Sequence, residues 1–296
     1  MTTPIQTVQG FRDMLSQLKE PLRSMFDVQA LRDLAVQADA PAAVLDPNAP
    51  ICDVNVGGIR CERIGVSVSG PALVYLHGGG FMFPPGNSYR LVLQKLARWI
   101  GVTAYMPRYR LAPEFPFPAA VDDCLAVYSI LAAEGRPVVI AGDSAGGGLA
   151  VSLVLRARAA NLVVPAALYL MSPFTDLACS GESIFSKAAA DPICSPEALL
   201  HRAFHYLAGR SPTDPLASPF YGDLSGLPPT LIHVGRDEVL LDDSVRFAIR
   251  ARERGSPVEC TVFDGMPHIF PTIPFVPECE AALNVGAEFL RSHLSP

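Results

Sequence analysis

Apolar residues recur three and four positions apart through the first forty residues. The segments VQGFRDMLSQLKE and PLRSMFDVQALRDLAVQA each carry one apolar stripe, which predicts two helices, with Pro21 in the first turn of the second. ADAPAAVLDPNAP then reads as a linker. From Ile51 to Val68 apolar and polar residues alternate on either side of Gly57-Gly58, the pattern of a β-hairpin. Beyond it, short apolar runs (ALVYLH, VTAYM, PVVIAG, AALYLMS, TLIHVG and VECTVFD) alternate with helical periods such as SYRLVLQKLARWI, PAAVDDCLAVYSILAAE and DDSVRFAIRARER. A strand apolar on both sides must be covered on both sides. The alternation therefore predicts a mostly parallel sheet with helices on each face, closed by a last helix in PECEAALNVGAEFLRSH. It stops between SPFTDL and GLPPT. There, residues 181–215 contain a helix from Ser195-Pro196 to Gly209 and no strand. This segment and residues 1–40 are assigned to a cap over a core made of residues 41–180 and 216–296.

Composition narrows the class. Of the 296 residues, 50% are hydrophobic and only 18% charged, so a large core is feasible and disorder is not expected. The net charge of −6, without basic runs, argues against nucleic acid or an anionic membrane as a partner. MTTPIQTVQGF lacks a charged start followed by an apolar stretch, so no signal peptide is expected, and no apolar run is long enough for a membrane helix. The seven cysteines include no C-x-x-C pair, which disfavours a zinc site and fits reduced core thiols. A soluble, cytoplasmic location is expected.

The run VVIAGDSAGGGLAVSLVL, Val138 to Leu155, passes from strand to helix through a turn crowded with glycine. In G-x-S-x-G the flanking glycines let a tight turn present the serine, here Ser144, at the strand's carboxyl end. A serine hydroxyl needs a base to take its proton and fixed donors for the oxyanion formed on attack. HGGGF, His77 to Phe81, follows a strand and can turn bare backbone N–H groups toward a ligand. The N–H of Ala145, at the start of a helix, is a further donor. Neither phosphate-binding glycine pattern is present.

His268 in FDGMPHIF follows the last predicted strand, on the same sheet edge as the serine turn, and is the candidate base. His201 and His205 are four apart on a helix but lack the glutamate of H-E-x-x-H, and they read as cap surface rather than a metal site. The acid should lie between serine and histidine in chain order. GRDEVLLDD supplies Asp237, nearest the strand end, with Glu238 as the alternative, while Asp242 and Asp243 suit a helix start. Phe81, Met82 and Phe83 follow the glycines as candidate substrate-pocket residues, and Asp143, beside the serine, is a further one.

With these motifs, YRLAPEFPFPAAVDD, GDSAGG, SPFTDL, VGRDEVLLDD and GMPHIF, the chain resembles α/β-hydrolases of the hormone-sensitive-lipase family, bacterial esterase branch, over about residues 40–296. The resemblance implies an eight-stranded, mostly parallel sheet with a small helical cap. It implies hydrolysis of short-chain carboxylic esters without cofactor. The residues themselves suggest a Ser144–His268–Asp237 triad that needs no metal, and the small cap with bulky Phe81, Met82 and Phe83 beside the glycines suggests acyl chains of about two to six carbons. The oxyanion role maps onto Gly79, Gly80 and Ala145, and less directly onto Gly78. It also implies a homodimer through the last strands. RDEVLLDD departs from the D-P-L of many members, which bears on the acid. An amidase, lactonase or acyltransferase would use the same triad. A non-catalytic receptor of the same fold would lack the histidine that is present here.

Overall fold

The structure is a computed structural model and describes residues 7–24, 27–39, 45–65, 69–273 and 276–294. One eight-stranded sheet organises it. Strands β1 (Ile51–Val56) and β2 (Ile59–Ile64) form the expected hairpin, with Gly57 and Gly58 both at positive φ, as a two-residue turn requires. The next strands are β3 (Ala72–Leu76), β4 (Thr103–Pro107), β5 (Val138–Asp143), β6 (Leu168–Met171), β7 (Thr230–Gly235) and β8 (Val258–Phe263). Their order across the sheet is β1-β2-β4-β3-β5-β6-β7-β8, and only the β1–β2 and β2–β4 pairs are antiparallel.

The reason for the uniformly apolar strands is the sandwich they sit in. Every residue of β3, β4, β5, β6 and β7 is buried. Leu73, Tyr75, Val139, Ala141, Tyr169 and Met171 face helices α3 (Asn87–Ile100) and α9 (Pro277–Ser292). Their neighbours Val74, Leu76, Ile140, Leu168 and Leu170 face the opposite side. That side is covered by α4 (Ala119–Ala133), α5 (Ala145–Ala159) and α8 (Leu241–Glu253). Each large aliphatic side chain so buried contributes roughly 1.5–3 kcal/mol.

Outside the sheet lie α1 (Val8–Ser24), α2 (Val28–Asp39), the short α6 (Ser183–Ser186) and α7 (Pro196–Leu207). Ser195 caps α7 by accepting from the Ala198 amide at 3.2 Å. The boundary between the first two helices differs from the sequence reading. Pro21 sits in the last part of α1 rather than opening α2. Asp27 starts the second helix instead, its side chain accepting from the Ala30 amide at 2.7 Å. Among the described residues no helix is long and apolar enough to cross a membrane.

Candidate active site

A single residue separates β5 from α5, and it is Ser144. Its backbone is at φ 50°, ψ −121°, a left-handed conformation that an L side chain adopts only when its surroundings enforce it. The enforcement is visible. The Ser144 amide donates to the Met171 carbonyl at 2.9 Å, and its carbonyl accepts from the Phe174 amide at 2.9 Å. The glycines at 142 and 146 are steric necessities: a Cβ on Gly146 would lie 1.9 Å from the Leu76 carbonyl oxygen, and one on Gly142 would lie 2.6 Å from that of Gly146.

His268, on the loop after β8, places Nε2 3.1 Å from Ser144 Oγ. Its Nδ1 is 3.2 Å from Oε1 of Glu238, which is fully buried. This corrects the expectation for the acid. Asp237 points the other way, with its side chain 29% exposed and paired to Arg12 at 3.2 Å. The turn after β7 decides between them. Glu238 opens the buried run Glu238-Val239-Leu240 and folds back beneath the strand end, where its Oε2 accepts from the Gly235 amide at 3.0 Å and the Ser172 hydroxyl at 2.8 Å. Ser172 Oγ also accepts from the Ile269 amide at 3.0 Å, tying the histidine loop to the carboxylate. Sequence reasoning missed Ser172; its left-handed φ of 48° has no local sequence signal.

Burial alone would push the His268 imidazole down. Cys194 and the Glu238 carboxylate beside it more than reverse this, so its pKa stands well above the ordinary value of 6.5.

The glycine loop divides its labour. Gly79 and Gly80, both at positive φ, line the cavity beside Ser144, and Ala145, directly after the serine, supplies the first amide of α5. Gly78 does not join them, because its amide donates to Asp143 Oδ1 at 3.0 Å. Asp143 is likewise corrected: it is fully buried and contacts no substrate space. Its carboxylate accepts from Tyr75 at 2.8 Å and Tyr89 at 3.2 Å as well as Gly78, and so ties the glycine loop to the sheet. Burial raises its pKa to about 6 against these three bonds. His77 stacks on Tyr109 at 4.2 Å, and its Nδ1–H donates to the Gly78 carbonyl.

Phe81 and Met82 are also corrected. Phe81 stacks on Tyr206 at 3.8 Å inside the core, and Met82 is fully buried with its carbonyl bound by Arg32. Only Phe83 of the three lines the cavity. That cavity, about 280 Å³, is walled mainly by apolar side chains such as Leu15, Leu34, Phe174, Leu199 and Ile273, with Ser144 and His268 at its base. Of residues 1–40, expected to form part of the cap, Met14, Leu15, Leu34, Ala35, Val36 and Asp39 line the cavity. The side chains of Phe11 and Leu18, and residues Met25 and Phe26, lie outside the described residues. His201 and His205 bring their Nε2 atoms to 3.1 Å on α7, and among the described residues no group of three or more metal-binding side chains gathers.

Residues 73–272 match the family model described as the alpha/beta hydrolase fold. The chain belongs to this α/β-hydrolase family. An acetyl-hydrolase of Streptomyces hygroscopicus is 41% identical to it over 227 residues, 75% of this chain and 76% of the relative. An esterase of Acinetobacter venetianus is 37% identical over 253 residues, covering 83% and 84%. Among solved structures, a hormone-sensitive lipase from a metagenome library superposes with a TM-score of 0.91 at 34% identity, over 99% of this chain and 100% of that one. EstE5, in a crystal soaked with p-nitrophenyl butyrate, gives 0.90 at 34% identity over 98% and 99%. This α/β-hydrolase is thus one of the hormone-sensitive-lipase kind.

Proposed function

We propose that this α/β-hydrolase is a serine carboxylesterase for short-chain esters, with Ser144 as nucleophile, His268 as general base and Glu238 as the acid that orients it. The observation that carries the reading is the unbroken line from Ser144 Oγ to His268 Nε2, at 3.1 Å, and from His268 Nδ1 to Glu238, at 3.2 Å, at the foot of a small apolar cavity. Ser144 attacks the ester carbonyl as His268 takes its proton. The amides of Gly79, Gly80 and Ala145 receive the negative charge, which the first turn of α5 further favours. His268 then protonates the leaving alcohol. Water, deprotonated by the same imidazole, hydrolyses the acyl-enzyme. Glu238 keeps the imidazole in the tautomer that leaves Nε2 free and stabilises the imidazolium.

The cavity volume supports small substrates, since it lies at the lower edge of the roughly 300–1,000 Å³ range of drug-sized sites. Residues 1–40 and 181–215 act in this reading as the cap, and the names of the relatives, esterase and acetyl-hydrolase, agree with it. Two copies are proposed to pair across β8, the edge strand, which sedimentation of the intact chain would test.

The test is a panel of p-nitrophenyl esters, anilides, lactones and alcohol acceptors, run on the wild type and on Ser144→Ala. Ester turnover should dominate, and Ser144→Ala should lower kcat by about 10⁴-fold or more while remaining folded. A phosphonate should add stoichiometrically to Ser144, as read by mass spectrometry. Near-normal turnover in Ser144→Ala would overturn the proposal.

A further inference from the structure

Arg202, on α7, is a charged residue of the cavity wall whose chemistry the proposed ester hydrolysis does not use. It is 9% exposed, and it lines the same cavity as Ser144 and His268. Its stem crosses Gly80 so closely that a Cβ there would lie 2.2 Å from Arg202 Cδ, and its guanidinium lies over the Phe83 ring at 5.4 Å. Among the described residues it makes no hydrogen bond or ion pair.

The other arginines near the sheet behave differently. Arg90 and Arg108 share Glu62, and Arg110 forks onto Asp123. Asp191, whose charge Arg202 feels, and Asp39, which shares its cavity, are already engaged. Asp191 accepts from the amides of Ile193, Cys194 and Val239, at 2.9, 2.8 and 3.0 Å. Asp39, on the cavity wall, caps the start of α3 through the amides of Asn87 and Ser88 and the Ser88 hydroxyl. A guanidinium stays charged in proteins, and its burial without a partner is costly. Here burial draws its pKa down.

Taking the serine-esterase reading as its basis, we propose that Arg202 is a specificity-determining residue and that the favoured substrates are esters bearing a carboxylate on one arm. The fork of the guanidinium matches a planar carboxylate with two parallel hydrogen bonds. The contact of its stem with Gly80, one of the oxyanion glycines, keeps that carboxylate close to the reacting carbonyl, so the arm is short. The remaining walls are apolar and take the uncharged arm. A charged ester thereby supplies the partner that the chain itself withholds from Arg202.

The experiment compares kcat/KM for matched pairs, each normalised to p-nitrophenyl acetate turnover by the same protein. That turnover tests the esterase reading independently. Monoethyl glutarate against ethyl valerate places the charge on the acyl arm, and 3-acetoxypropionate against propyl acetate places it on the alcohol arm. In the wild type one charged ester should exceed its neutral match by about tenfold or more, and the arm that shows it locates the subsite. The gain should appear in KM, because the guanidinium touches a group that does not react. In Arg202→Leu the charged-to-neutral ratio should fall to one or below, and Arg202→Lys should restore part of it. Should Arg202→Leu fail to fold, inhibition of the wild type decides: propionate should compete with p-nitrophenyl acetate and propionamide should not. Charged esters no better than neutral ones on either arm in the wild type, or a preference that survives in Arg202→Leu, would overturn the proposal.

Discussion

Replacing Glu238 by Gln removes a charge from the imidazolium and leaves the side-chain shape. Its Oε1 lies 3.2 Å from His268 Nδ1, with both groups buried. Charges about 4 Å apart at an effective dielectric near 20 interact by about 4 kcal/mol. Above the raised His268 pKa the resting imidazole is neutral and becomes charged only as Ser144 loses its proton, so at such pH this interaction belongs to the transition state rather than to the bound substrate. At 1.36 kcal/mol per factor of ten, kcat should fall by about 10³-fold, and the wrong imidazole tautomer in Glu238→Gln extends the loss toward about 10⁴-fold. Asp237→Asn should cost less than about tenfold. Its carboxylate is 29% exposed and paired to Arg12, away from the imidazole. The assay is kcat and KM on p-nitrophenyl butyrate for both variants, with thermal unfolding to confirm that each is folded. A larger loss in Asp237→Asn than in Glu238→Gln would refute the reasoning and return the acid role to Asp237.

Because Glu238 and Cys194 hold the His268 pKa well above 6.5, the neutral base is regained only as pH rises through that elevated value. The acid limb of kcat/KM should therefore lie above pH 6.5 and move to lower pH in Glu238→Gln, as a pH profile on an uncharged ester would show. Asp143→Ala releases Gly78 from the sheet and should lower kcat by about 10²-fold with little change in KM, the scale of losing one oxyanion donor. Across p-nitrophenyl esters from acetate to palmitate, kcat/KM should hold or rise to about six carbons and then drop. A methylene that fits contributes up to about 0.8 kcal/mol, and one that does not fit costs roughly 1–3 kcal/mol in strain. An optimum at ten carbons or longer would contradict the cavity. Deleting residues 1 to about 35 should lower activity even in folded protein, since Met14, Leu15 and Leu34 are part of the cavity wall; kinetics with circular dichroism would read both.

The sheet, the serine turn and the histidine loop were legible in the chain because each is written in local terms. Apolar runs buried on both faces can only be central strands, and glycines at 142 and 146 are the sole residues that clear the neighbouring carbonyls. The same local logic chose Asp237 over Glu238 for its nearness to the strand end. A turn rotates successive side chains to different sides, and which side is the interior depends on residues far away in sequence. Arg12, 225 positions from Asp237, draws that carboxylate to the surface, while Ser172 and the Gly235 amide receive Glu238 within. Phe81 and Met82 were assigned to the pocket by adjacency to the glycines, yet Tyr206 and Arg32 from other segments hold them away from it. The role of Arg202 was equally unreadable, because an arginine on a helix is ordinarily solvated. Only the packing of α7 over Gly80 and Phe83 buries this one beside the nucleophile without a carboxylate of its own.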